Sequence, residues 1–258
     1  MRRSLIGYTG FVGGNLKGQA IFDELYNSSN ISDIRGKEFD LIVCAGAPAA
    51  KWIANKNPED DLRNINFLIN NLKQVRAHRF ILISTVDIYR QPANVNEDTP
   101  TDALNHQPYG KHRFYLEEFI RAAFSKHNII RLPGLFGNGL KKNVIYDFIN
   151  NNCLEMIHCD SVFQFYNLNK LFSDLDVVLR NDLPVVNFST QPVSVKELAA
   201  EVFGIDFKNR TEMPPAFYDV RSKYSKLFNS KLEYYMFSKE EILEQIRNFI
   251  AALDLNTK

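Results

Sequence analysis

The chain has 258 residues, of which 45% are hydrophobic and 24% charged, and 31 basic against 30 acidic residues leave a net charge of +1. That composition excludes a disordered, collagen-like or low-complexity protein, and the even charge balance without a Lys/Arg block argues against a nucleic-acid or membrane-surface role. The length suffices to bury a full core without disulfides or a structural metal.

Ser4–Gly7 predicts a first strand and Phe11–Gln19 a short helix after a glycine-rich turn. Ala20–Tyr26 predicts a second strand, ending in the polar loop Asn27-Ser28-Ser29-Asn30. Leu41–Ala45 is a continuous apolar run, the pattern of a strand buried on both faces. After Pro58, the residues Leu62, Ile65, Leu68, Ile69 and Leu72 recur at helical spacing. Arg79–Thr85 reads as another buried strand, Tyr109–Lys126 as a helix and Asn128–Leu132 as a strand. This alternation predicts an α/β, Rossmann-like, doubly wound parallel sheet. The last third is less regular. Val185–Phe188 reads as a strand. Ser194 with Glu197, and Ser238 with Glu241, have capping-box spacing and open two helices. The second carries Ile242, Ile246, Phe249, Ile250 and Leu253 on its apolar face. No repeat or linker stands out, so residues 1–258 are expected to form a single domain with a small C-terminal lobe, drawn mainly from 138–170 and 205–237.

No apolar run approaches the roughly 18 residues of a membrane span, and the opening residues Met1–Gly7 lack the apolar region of a signal peptide. Three cysteines, Cys44, Cys153 and Cys159, an odd number without an export signal, point to reduced thiols in a cytoplasm. Cys153, His158 and Cys159 lack metal-site spacing and a fourth ligand, so no metal is expected.

Gly7-Tyr8-Thr9-Gly10-Phe11-Val12-Gly13 follows a predicted strand and opens a helix. Glycines there permit a tight turn and let backbone N–H groups meet a pyrophosphate, while the helix N-terminus adds partial positive charge. Gly7, Thr9, Gly10, Phe11, Val12 and Gly13 are therefore candidate dinucleotide-binding residues. So are Asn27 and Ser28 after the second strand, and Ala45 and Gly46 after the third. The second strand's end, where a carboxylate would accept from the adenosine 2′-OH, is uncharged, and Asp33 is expected in a short helix instead. The cofactor is thus NADP or NAD, with NADP favoured.

Two further clusters carry chemistry. Ser84-Thr85-Val86-Asp87-Ile88-Tyr89 lies at a strand end, and Pro108-Tyr109-Gly110-Lys111-His112-Arg113 opens a helix. With the glycine turn they resemble the extended short-chain dehydrogenase/reductase family of NAD(P)-dependent nucleotide-sugar epimerases, dehydratases and reductases. Asn57-Pro58 followed by Asn64, Arg131-Leu132-Pro133-Gly134-Leu135-Phe136-Gly137, and Val186–Ser189 with Pro192–Leu198 extend the resemblance along most of the chain. It implies that Tyr109 is the acid/base, Thr85 its hydroxyl partner, and Asn64 and Pro133 further cofactor contacts. A phenol is a poor base at neutral pH unless a cation favours the phenolate, and i, i+4 spacing puts that cation at 113. The family has Lys there; this chain has Arg113, a third catalytic candidate that also faces the ribose. Lys111, at i+2, points elsewhere, and His112 is expected to be a solvated helix residue.

The same resemblance implies a small-molecule nucleotide-sugar substrate, gripped by the C-terminal lobe, and a role in polysaccharide biosynthesis. Tyr89, Lys142, Asn143 and Arg221 are the substrate-side candidates. Epimerisation, reduction and dehydration share their first step and stay open, although Val86 directly after Thr85 disfavours dehydration. A homodimer through the Pro58–Ala77 and Tyr109–Lys126 helices is expected by analogy. The rival reading is a binding protein that keeps the dinucleotide and has lost turnover through Arg113.

Overall fold

The computed structural model describes residues 1–101, 106–229 and 231–255. The chain forms two compact units. The first comprises residues 1–91, 98–132 and 171–186, and the second 92–97, 133–170 and 187–258.

The first unit is built on a sheet of β1 (Arg3–Ile6), β2 (Glu24–Tyr26), β3 (Glu38–Cys44), β4 (Arg76–Thr85) and β5 (His127–Leu132), which pair in parallel, and β6 (Val185–Asn187), whose last residue falls in the second unit. Their order across the sheet is β6-β5-β4-β3-β1-β2. The strand order reverses between β1 and β3, so the crevice outside the carboxyl ends of those strands is where an open α/β sheet binds ligands. The helices are α1 (Phe11–Gln19), α2 (Lys51–Lys56), α3 (Pro58–Leu72), α4 (Pro108–Ala123) and α5 (Leu171–Arg180). The doubly wound α/β architecture is the one that strand–helix alternation predicts. The second strand is shorter than its apolar signal, starting at Glu24 instead of Ala20.

The strands are apolar because both faces are covered. Phe39, Ile42, Phe80, Leu82 and Ile129 pack against Ile65, Ile69, Leu116 and Ile120 from α3 and α4. Phe80 stacks on Phe124 with centroids 4.4 Å apart. Pro58 at the start of α3 loses no intrahelical hydrogen bond there, and Glu59, Asp60 and Asp61 favour the same end of the dipole.

The second unit uses short pieces. Gly134–Phe136 pairs in parallel with Phe165–Asn167, Val162–Phe163 antiparallel with Val193–Ser194, and Ala93–Val95 in parallel with Asp219–Val220. Gln164, buried among them, accepts from the Val220 N–H at 2.7 Å and donates to its carbonyl at 2.8 Å. An amide side chain thus stands in for a ladder step. Helices Val144–Asn150, Val195–Phe203 and Lys239–Leu255 enclose an aromatic core in which Phe148 meets Phe203 and Phe207 at about 5 Å. Both expected capping boxes form: Ser194 with Glu197, and Ser238 with Glu241. Among the described residues, no helix is long and apolar enough to cross a membrane.

Glu24 at the head of β2 accepts from Lys37 at 2.7 Å and from Tyr26 and Arg2. Burial alone would raise its pKa, but these partners outweigh it and bring the carboxyl down to about 2. Because the folded pKa lies below the ordinary 4.5, the stabilisation is present above that value and is lost as pH falls from it towards 2. Urea midpoints measured across this window are expected to fall more steeply for the wild type than for Lys37→Met.

Candidate active site

Strand order places Gly7 after β1, Ala45 after β3 and Thr85 at the end of β4, along one edge of the sheet. The glycine turn continues the ladder on both sides: Gly7 N–H donates to Tyr26 O at 2.7 Å and Ala45 N–H to Ile6 O at 2.9 Å. Gly7 has φ +85°. A Cβ on Gly7 would meet Ala45 O at 2.3 Å, and one on Gly13 would meet Gly7 O at 2.1 Å. Only glycine lets α1 approach this closely. Thr9 and Gly10 are exposed, and Gly10 has no side-chain cap to occupy the N–H groups of the first turn. The first-turn amides therefore lack intrahelical partners and face an open turn, which fits the diphosphate of a dinucleotide.

After β2, Asn27 donates to the Tyr8 hydroxyl at 3.4 Å, and the Lys17 ammonium lies 5.4 Å from the Tyr8 ring centre. Ser28 is exposed, and no carboxylate occupies residues 27–30. Asp33 lies in the 3-10 turn Ile31–Ile34. Ala45 and Gly46 are half-buried, whereas Asn64 is on the exposed face of α3. Pro133 opens the second unit, directly after β5.

Thr85 ends β4, and its Oγ1 accepts from the Asp87 N–H at 3.1 Å, capping a 3-10 turn over Val86–Ile88. Tyr109 starts α4. Gly110, buried beside it, lets the helix reach that turn, since a Cβ there would fall 2.2 Å from Asp87 O. Asn55 of α2 completes the end of α4: its Oδ1 accepts from Tyr109 N–H at 3.0 Å and its Nδ2 donates to Gln107 at 2.8 Å. Lys51, also on α2, pairs with Asp87 at 2.7 Å. The Thr85 side chain lies near enough to the Tyr109 phenol to favour its ionised form, so the expected hydroxyl pair comes together.

Arg113 lies on the same face of α4 as Tyr109, with its guanidinium carbon 4.0 Å from the ring centre. Its donors turn inward: Nη1 to the Asp61 carboxylate and Nη2 to Pro48 O. Nε is buried and makes no hydrogen bond among the described residues. Burial raises the Tyr109 pKa; the Arg113 cation is the strongest opposing influence, Asp87 adds to the rise, and Thr85 and Lys51 lower it. The net direction is up, contrary to the depression that a cation at 113 would suggest. His112 is also corrected: it is 7% exposed, not solvated, and its Nδ1 is 2.7 Å from Asp61 Oδ2. Lys111 is exposed on another face.

Tyr89 is buried, and its hydroxyl accepts from Arg131 Nη1 at 2.8 Å. Arg131 in turn binds Glu117 through Nε at 3.1 Å and Nη2 at 2.7 Å, and Ser84 donates to the same carboxylate at 2.6 Å. In the second unit, Asn143 caps the helix that follows it, accepting from Ile145 and Tyr146 N–H groups at 3.0 and 3.2 Å. Lys142 is exposed just before it. Arg221 pairs with Asp219 at 2.9 Å and lies over the Tyr234 ring. A cleft of about 290 Å³ in that unit is lined by Val144, Met156, Phe163 and Pro214 with polar His158 and Thr211, from both stretches expected to supply the lobe. The ligand atoms of His158, Cys159 and Asp160 lie within 4.8 Å of one another, and Asp160 is ion-paired with Lys196 and Arg210.

The residues not anticipated from sequence are Asp61, Asn55, Gly110, Lys51 and Glu117. Asp61 had a signal: it falls in phase with the buried stripe Ile65, Leu68, Ile69 and Leu72 of α3. A carboxylate at the head of an apolar stripe needs a partner. Replacing Gly110 with Ala is expected to destabilise the protein by about 1–3 kcal/mol, since backbone must move to admit the methyl group. A urea-denaturation midpoint checks it.

A model of the NAD dependent epimerase/dehydratase family matches residues 19–158, starting after the glycine turn. Among solved structures, a dTDP-4-dehydrorhamnose reductase from Clostridium acetobutylicum is 18% identical with TM-score 0.74, covering 98% of this chain and 100% of that one. A UDP-glucose 4-epimerase from Thermotoga maritima, solved with UDP-glucose, is 15% identical with TM-score 0.74 over the whole of both chains. RMD from Pseudomonas aeruginosa, complexed with NADPH, is 17% identical with TM-score 0.73, covering 98% of this chain and 99% of that one. At these identities the likeness is one of fold. No curated protein matches in sequence.

Proposed function

Because the chain belongs to the NAD dependent epimerase/dehydratase family, we propose that it is an NAD(P)-dependent enzyme that moves hydride at a carbinol or carbonyl carbon of a nucleotide sugar. The observation that carries this reading is the Thr85–Tyr109 hydroxyl pair, with a cation against the phenol ring, on the sheet edge that also bears the glycine turn. First-turn amides at Phe11, Val12 and Gly13 would hold the diphosphate, with Asn27 and Ser28 towards the adenosine and Ala45 and Gly46 beside it. The bound dinucleotide would supply or accept the hydride. Tyr109 exchanges the proton on the substrate oxygen, and Thr85 fixes that oxygen by a hydrogen bond.

NADP is favoured over NAD: no carboxylate opposes a 2′-phosphate after β2, and Lys17 puts a cation over Tyr8 on that side of the turn. Structural relatives solved with UDP-glucose and UDP-glucuronic acid support a nucleotide-sugar substrate. Phe67 on α3 and Tyr115 on α4, both about half exposed, support a homodimer through these helices. Three free cysteines support a cytoplasmic setting.

The second reading, a dinucleotide-binding protein without turnover, is favoured by one observation: Asp61 takes up the Arg113 charge. Steady-state assays with a panel of keto and hydroxy nucleotide sugars separate the two. Turnover is expected, with NADPH bound more tightly than NADH by calorimetry. Tyr109→Phe is expected to lower kcat by about 10²–10⁴-fold, the usual worth of a positioned acid/base, while NADPH affinity stays within about threefold. NADPH binding with no turnover across the panel sustains the second reading and overturns the first.

A further inference from the structure

We propose that Asp61 is a positioning residue for Tyr109: it pins the Arg113 guanidinium against the phenol ring and offsets part of its charge, so that Tyr109 enters the reaction as a protonated acid. The proposal rests on the reading above for its consequence and on geometry alone for its cause. Asp61, 5% exposed in the first turn of α3, accepts from Arg113 Nη1 and lies 2.7 Å from His112 Nδ1. Pro48 O holds the other terminal nitrogen. The guanidinium is thereby locked 4.0 Å from the ring centre of Tyr109. A lone buried cation at that distance would favour phenolate strongly, whereas a carboxylate in contact with the cation offsets part of that field.

The other charges that face the phenol are paired too. Lys51 of α2 and Asp87 of the turn after β4 bind each other at 2.7 Å. His112, one residue before Arg113, is bonded to Asp61. Thr85 contributes a neutral hydroxyl. Arg113 still lowers the phenol more than any other group does, but burial outweighs it and the net direction is up. An acid of this kind suits the reductive direction. Tyr109 Oη–H gives its proton to the carbonyl oxygen while the carbonyl carbon gains hydride from a reduced nicotinamide, which leaves as the oxidised form. The resulting tyrosinate then takes a proton from water. The opposite direction must begin with tyrosinate, which this site disfavours at neutral pH. The substrate class this selects is a keto nucleotide sugar.

The test is ultraviolet titration of tyrosinate in the full chain, with each protein's Tyr109→Phe counterpart subtracted to isolate this phenol. In Asp61→Asn the Tyr109 step is expected about one pH unit or more below its wild-type position, because the Arg113 charge is no longer balanced. A folded Asp61→Asn protein with an unmoved step overturns the proposal. The double variant Asp61→Asn/Arg113→Gln removes the pair as a unit and decides the matter if the single variant does not fold. Its step is expected within about half a unit of the wild type, and a rise of more than about one unit would mean that Arg113 acted as an unbalanced cation. The pH profile of carbonyl reduction is expected to fall with the same step in each protein. Absence of turnover in every protein, with the titration as expected, counts against the nucleotide-sugar reading and leaves the role of Asp61 standing.

Discussion

The close approach of α1 to β1 governs the first unit. A single methyl group at position 13 would sit 2.1 Å from the Gly7 carbonyl, and one at position 7 would sit 2.3 Å from the Ala45 carbonyl. Three backbone segments from β1, α1 and the end of β3 therefore meet with no side chain between them. The outcome is electrostatic as much as steric. It aims the unpaired N–H groups of a helix N-terminus at the crevice where strand order reverses, where a diphosphate would find partial positive charge without any Lys or Arg. The same edge carries Thr85, because β4 lies beside β3.

Much of this was legible beforehand, for physical reasons that differ from element to element. Parallel strands buried on both faces leave uninterrupted apolar runs, so Leu41–Ala45 and Arg79–Thr85 stood out. Capping boxes are local, so Ser194 and Ser238 announced their helices. The start of β2 was not legible, because Ala20–Asp23 is apolar enough to read as strand, yet only Glu24–Tyr26 pairs with β1. In the second unit strands are two or three residues long and Gln164 supplies part of the pairing through its side chain. Such pairing leaves no periodic pattern to read.

Charged residues inside the first unit were the least legible. A sequence shows an acid or a base but not its partner, and the default is solvent. His112, Asp61 and Glu117 all run against that default, each buried with a named partner. Their partners include residues 14 to 52 positions away in the chain. Only tertiary packing brings them together, which is why the face of α4 that carries Tyr109, His112, Arg113 and Glu117 reads as mixed polarity in sequence and as interior in the fold.

The unit uses one construction twice. Asp61 holds Arg113 against the Tyr109 ring, and Glu117 holds Arg131 against the Tyr89 ring, with guanidinium-to-centroid distances of 4.0 and 5.2 Å. A buried ion pair of this kind adds little net stability, since desolvation offsets the attraction, whereas removing one partner costs about 3–5 kcal/mol. Stability alone therefore does not account for two of them. What the pairs do is hold a planar cation at a fixed place on a ring. They differ in what happens to the hydroxyl. Arg131 donates to the Tyr89 oxygen. Arg113 directs its terminal nitrogens to Asp61 and Pro48 and not to the Tyr109 oxygen. The two guanidiniums thus use their donors differently: one bonds the phenol oxygen of its tyrosine and the other does not. Through its two terminal nitrogens an arginine at position 113 satisfies both the acid and the carbonyl while its central carbon stays 4.0 Å from the ring centre.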